Sequence, residues 1–176
     1  MILRYRNNQF DIEFKSIDQS HAFNTPFQVG TRGDNPEVAI SNSHEINDQD
    51  VLIVASDGYK FKFNIYNSLW DNLENDQIIS IVNKNSTGGQ INSIEYLAEK
   101  LTFEAEKYSL DKTYLSPFAK KKNSNQKTSS KNIGGKQDDI TVVVAQIEMK
   151  LNINIVNSSV VNTKPKVNSK YSQTKL

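Results

Sequence analysis

Two apolar runs limit this chain more than any other feature. The first, Val51–Ala55 or "VLIVA", is closed at once by Ser56-Asp57-Gly58. A run this short, bounded by a turn, fits a buried strand. The second, "ITVVVAQIEM" from Ile140, is rich in β-branched residues and predicts a central strand. Asp57 follows the first run and Asp138 precedes the second. If the two strands are neighbours, their carboxylates converge at one sheet edge, where like charges repel unless a cation holds them together. Oxygen donors of this kind favour Mg²⁺ or Mn²⁺ over softer metals.

Around these strands the chain alternates strand and helix signals. "ILRYR" and "FDIEFKS" flank Asn7-Asn8, a pair that tolerates positive φ and predicts a hairpin. Leu73, Ile78, Ile81 and Val82 fit one helical face, with Asn75 or Asp76 as cap. A longer helix is predicted from Asn92, which has capping-box spacing to Glu95. Ile94, Leu97, Ala98, Leu101 and Ala105 form its apolar face, and Glu99, Lys100, Glu104 and Lys107 face water.

Charge and composition narrow the partners. The formal net charge is +1, so no overall field calls for nucleic acid or a membrane surface. The chain has no cysteine, which rules out disulfides and thiolate metal sites within it. No stretch approaches the roughly 18 apolar residues of a membrane span. Between Asp111 and Asp138 there are lysines but no acid, and none follows Glu148. Both stretches read as solvated, residues 149–176 as a basic disordered tail. A basic rim that attracts phosphorylated substrates is the functional alternative for the first.

The motifs "HAFNTPFQVG", "DVLIVASDG", "LWDNL", "LSPFA" and "GGKQDDITVVVA" resemble, in order and spacing, the C-terminal half of the metal-dependent PP2C-type protein phosphatases. The "FNTPFQ" and "SPFA" elements are most similar to the PTC7-like branch, which includes mitochondrial and plastid enzymes. The resemblance covers residues 1–148. It implies an α+β fold, an α-β-β-α sandwich of antiparallel sheets, incomplete here. It also implies a phosphoprotein substrate, hydrolysed at phosphoserine or phosphothreonine by a water that two metal ions activate. The ligand roles pass to Asp57 and Asp138, with Asp139 in support at most. His21 is read as structural, and His44 carries no evident role. The compartment, cytoplasm or mitochondrion, stays open.

Two departures qualify what the resemblance implies. The family's N-terminal motifs, a phosphate-binding arginine and a "DGHGG"-type turn whose aspartate bridges both metals, are missing. The expectation is a fragment that is inactive alone, with upstream sequence lost. The alternative is a non-catalytic, phosphatase-derived binding module that pairs its sheet with a partner. The second departure is Tyr59–Ser68, "YKFKFNIYNS", inserted between "SDG" and "LWDNL". It reads as an in-frame retained intron or as a hairpin arm.

Overall fold

A computed structural model describes residues 1–23, 25–31, 33–55, 69–125, 131–137 and 139–151, and the backbone of 165–175. The chain opens with a hairpin, β1 (Ile2–Arg6) and β2 (Gln9–Phe14). Asn7 and Asn8 turn it at φ of 51° and 67°, the conformation that such a two-residue loop requires. A short ribbon follows, β3 (Ser20–Ala22) with β4 (Thr25–Pro26). Strand β5 is Val51–Ala55. Next come helices α1 (Leu69–Asn72) and α2 (Asn75–Lys84), and the small ribbon β6 (Ser86–Thr87) and β7 (Gln90–Ile91). Helices α3 (Ile94–Leu110) and α4 (Pro117–Asn125) precede β8 (Thr141–Leu151) and β9 (Pro165–Lys175).

The main sheet has the order β2-β1-β5-β8-β9, and every neighbouring pair is antiparallel. The fold is therefore α+β with antiparallel sheets. Among the described residues the helices cover one face of this sheet, and no second large sheet lies on the other. Residues 149–176, read from composition as a tail, include the end of β8 and the whole of β9.

Alternation along the strands builds the core. Leu3, Phe10, Val51, Ile53, Val142 and Val144 point to the helix side and are fully buried. They meet Leu69, Ile78, Val82, Leu97 and Leu101 from α1, α2 and α3, and Leu73 between the first two helices. Among the described residues, one polar side chain, Gln146, lies buried on this face, and it is fully satisfied. Gln146 Oε1 accepts from Gln90 Nε2 and Ile91 N, and its Nε2 donates to Gln49 O and Gly89 O. A buried amide with all these partners carries none of the desolvation penalty of an unpaired one.

Side-chain caps correct two predicted boundaries. Helix α3 is capped by Ser93, whose Oγ accepts from Tyr96 N at 3.1 Å, one residue after the expected Asn92. Helix α2 is capped from Glu74, whose N–H donates to Gln77 Oε1 at 2.8 Å. At the edge of the sheet, Asn83 of α2 accepts from Phe10 N at 2.7 Å and donates to Phe10 O at 3.2 Å. This amide occupies backbone groups that an edge strand would otherwise offer to another chain.

Candidate active site

Strands β5 and β8 run side by side in unbroken register from Val51↔Gln146 to Ala55↔Val142. The last residue of β5 and the first residues of β8 therefore share one end of the sheet. Asp57 and Asp138 themselves lie outside the described residues, as does the insertion Tyr59–Ser68. Among the described residues there is no cluster of three or more His, Asp or Glu side chains that could hold a metal ion. Asp139, the described neighbour of Asp138, is exposed, and Ile140 next to it is buried in the core.

The segment leading into β8 is fastened by contacts from two earlier motifs and from the backbone after α3. Asn72 of α1, fully buried, donates from Nδ2 to Lys136 O at 3.0 Å and accepts at Oδ1 from Lys136 N at 2.9 Å. Ser116 Oγ donates to Gly134 O at 2.7 Å and accepts from Ala119 N at 3.1 Å, so one hydroxyl caps α4 and holds the glycine loop. Gly134 N and Gly135 N donate in turn to Tyr114 O and Asp111 O. A Cβ on Gly135 would collide with the carbonyl of Tyr108. These glycines, read from sequence as a flexible lead-in, let the backbone pass close under the end of α3.

Lys136 also departs from its expected role as a solvated lysine. Its side chain is buried, pairs with Asp71 Oδ2 at 2.7 Å and lies 4.6 Å from the Phe118 ring centroid. A lysine desolvated in this way needs both partners, because a buried charge left alone is costly. Two further lysines of the acid-free stretch are paired, Lys120 with Glu74 at 2.7 Å and Lys121 with Asp18 at 2.6 Å. The local excess of positive charge is thus partly balanced by acids from other segments, which weakens its reading as a rim for phosphate.

Beside this knot lies a cleft of about 590 Å³, between the β3–β4 ribbon, α1 and α4. Phe23, Phe27, Trp70 and Phe118 form its apolar walls, with Lys121 and Lys136 at its polar side. The Phe23 and Phe118 rings are 5.7 Å apart. His21 lies outside this lining. Its Nε2 is 2.7 Å from Asp34 Oδ1, and its ring rests 4.0 Å from that of Phe27. The backbone N–H of Gln28, followed by the His21 contact, holds the Asp34 carboxyl below its ordinary value. His21 therefore organises the loop between residues 19 and 34. His44 rests against Phe14, with ring centroids 3.7 Å apart.

The residues that sequence reasoning missed are Asp71, Asn72, Ser116 and Lys136. A signal existed for Ser116, since Ser before Pro117 is a helix start with a cap and a proline at the first position. None existed for the Asn72–Lys136 bond, which joins residues 64 apart.

No protein-family model matches the chain. Among curated proteins it is similar to the protein phosphatase PTC7 homologue fig of Drosophila erecta, 31% identical over 145 residues, covering 77% of this chain and 42% of that protein. The Drosophila melanogaster counterpart is 30% identical over 144 residues, again with 77% and 42% covered. The chain thus spans about two-fifths of the length of these relatives. Among solved structures it resembles the photosystem II phosphatase PBCP, with a TM-score of 0.62 and 26% identity, over 84% of this chain and 55% of that one. In sequence and in fold, the chain belongs to the PP2C-type protein phosphatases, in the branch of the PTC7 homologues.

Proposed function

We propose that this chain supplies metal ligands to a protein serine/threonine phosphatase, with Asp57 and Asp138 as the carboxylates that hold Mg²⁺ or Mn²⁺. The observation that carries the proposal is the register Ala55↔Val142, which pairs the two strands whose ends lead to these aspartates. Asp57 is two residues beyond Ala55, so its backbone is within about 7 Å of that paired end. The donor set fits the group, since anionic oxygens are what these hard cations take. When bound, such ions supply an activated water and stabilise charge on the phosphoryl oxygens.

The chain's own described residues serve as positioning groups in this reading. Asn72 and Ser116 fix the backbone at Lys136 and Gly134, just before Asp138. The Asp71–Lys136 pair ties α1 to the same segment. The substrate class is phosphoserine or phosphothreonine in a protein. With the family's bridging aspartate missing from the sequence, the chain alone is expected to show no turnover.

One observation favours a second reading, a non-catalytic module completed by another chain. Leu52 and Val54, on the sheet face away from the helices, are 37% and 53% exposed. An N-terminal half supplied in trans would cover them. Mn²⁺ binding followed by electron paramagnetic resonance tests the metal assignment directly. Loss of most of the bound Mn²⁺ in Asp57→Asn and in Asp138→Asn supports it, and unchanged binding in the double variant rejects it. Metal-dependent turnover of a phosphopeptide by the chain alone, abolished by Asp57→Ala, would overturn the expectation of inactivity.

A further inference from the structure

The cleft between the β3–β4 ribbon, α1 and α4 has aromatic walls and charges that do not cancel. Its volume of about 590 Å³ holds an aromatic side chain together with the backbone on either side of it. Two lysines of its lining already have partners, Lys121 in Asp18 at 2.6 Å and Lys136 in Asp71 at 2.7 Å. A third stands at the border. Lys15 Nζ lies 4.8 Å from the centroid of the Trp70 ring and donates to Asn75 Oδ1 at 2.8 Å, and no described carboxylate forms an ion pair with it. Burial, followed by repulsion from Lys121, holds this ammonium below its ordinary pKa against the pull of Asp18, Glu74 and Asp71. Lys15 is thus the one cation of the group left without a matching acid.

These features select an occupant. The rings of Phe23 and Phe118, 5.7 Å apart and tilted by 32°, offer faces and edges against which a third ring packs favourably. A carboxylate beside that ring would match Lys15, whereas a basic neighbour would add to the repulsion already present. Position then points to the source of such a pair. Lys136, in the lining, precedes Asp138 by two residues, so its backbone lies within about 7 Å of that candidate ligand. An extended peptide with its phosphoserine at Asp138 reaches the cleft about two to four residues away.

We propose that this cleft is a recognition subsite for the phosphoprotein substrate, and that it takes an aromatic side chain standing next to an acidic residue. Phe23, Phe27, Trp70 and Phe118 hold the ring, and Lys15 sets the preference for the acid. That the occupant is a substrate rests on the phosphatase reading above. The preference for an aromatic residue with an acid beside it rests on the cleft alone.

Trp70 is the chain's single tryptophan, so its fluorescence reports the cleft without a label. The probe is the peptide acetyl-Phe-Asp-Ala-phosphoserine-Ala-amide, titrated into the full chain with and without Mn²⁺. A saturable shift of the Trp70 emission is expected in both conditions. Ala in place of the peptide's Phe is expected to weaken binding at least about tenfold. Lys in place of its Asp is expected to weaken binding about threefold. Lys15→Gln should remove the difference between the Asp and Lys peptides and keep that between the Phe and Ala peptides, which an unfolded variant would not do. Loss of Mn²⁺ binding with the peptide results intact would overturn the metal assignment and leave the subsite standing, while intact Mn²⁺ binding with no peptide response would overturn the subsite alone. An emission that no peptide moves, equal affinity for the Asp and Lys peptides, or a shift that follows protein concentration with no peptide present, which marks a second copy as the occupant, would each overturn the proposal.

Discussion

The two faces of strand β5 differ although they alternate residue by residue. Val51 and Ile53 face the helices with no exposure, while Leu52 and Val54 between them are 37% and 53% exposed. The sequence of this strand is apolar on both sides, a pattern usual for strands buried on both faces. Its composition therefore suits a sheet covered twice, and the described residues cover it once. Leu52 pairs with Ile2 and Ala145, and Val54 with Val143, so this side is apolar across three strands, with Ile2 and Ala145 buried and Leu52 and Val54 exposed. The difference teaches that the hydrophobic pattern of a strand carries a signal for both of its faces, whichever of them the described residues cover.

The largest expected effect tests that contrast. Ile53→Ala or Leu101→Ala should lose about 2–5 kcal/mol by cavity formation, enough to leave much of the chain unfolded. Leu52→Ala and Val54→Ala should cost less than about 1 kcal/mol, since they surrender little burial. Urea unfolding followed by circular dichroism compares the four. Equal losses on both sides would show that the open face is covered after all, for instance by self-association.

Asn72→Ala is the next in size. It strands the Lys136 N–H and C=O in a buried place, and about 1–3 kcal/mol is expected from their lost partners. Amide exchange should quicken at Lys136 before it does at Ile53. Uniform quickening would show that Asn72 supports the whole core, not the lead-in to β8. Ser93→Ala removes the cap of α3 and should cost about 1 kcal/mol, read as a shift in the urea midpoint, with Ser93→Asn retaining most of it.

The smallest effect lies in the exposed loop. Asp34 titrates below its ordinary value of 3.8, chiefly because the Gln28 N–H bonds its charged form. A depressed folded value means that the loop's support from this group is complete above the ordinary value and disappears as pH falls through the folded one. The Gln28 amide resonance should therefore shift with an inflection below 3.8, and Asp34→Asn should abolish it. An inflection above that value would reverse the sign of the contact.

Much of the fold was legible because it is encoded locally. The Asn7-Asn8 turn, the β5 run, the apolar face of α3 and the β-branched β8 each carry their signal within a few residues. Helix α4 was missed because its lysines suggested solvent, and the Ser116-Pro117 start was read only as part of a family motif. Lys136 was misread for a deeper reason. Its partner Asp71 and its anchor Asn72 come from a segment 64–65 residues away, and composition cannot show such a meeting. Asp57 and Asp138 are candidates by their places beside two apolar runs, and both lie outside the described residues. The clamps that steady their neighbourhood were not legible.

The pairing of β5 with β8 also bears on how quickly this molecule can find its shape. The β1–β2 hairpin closes over two residues and can form in about 1–10 µs. The central pair must instead bring together segments separated by α1 through α4, and the entropy of that closure is met before any contact rewards it. The search for that pairing is then the slow step, and an early mispairing of the apolar β8 with another strand is its natural hazard. Loop-closure entropy grows only with the logarithm of length, so the ten residues Tyr59–Ser68 add just ~0.1 kcal/mol to a closure already this long. Chain length between these two strands is nearly neutral for the sheet, and an insertion at that point can persist without slowing the assembly of the core.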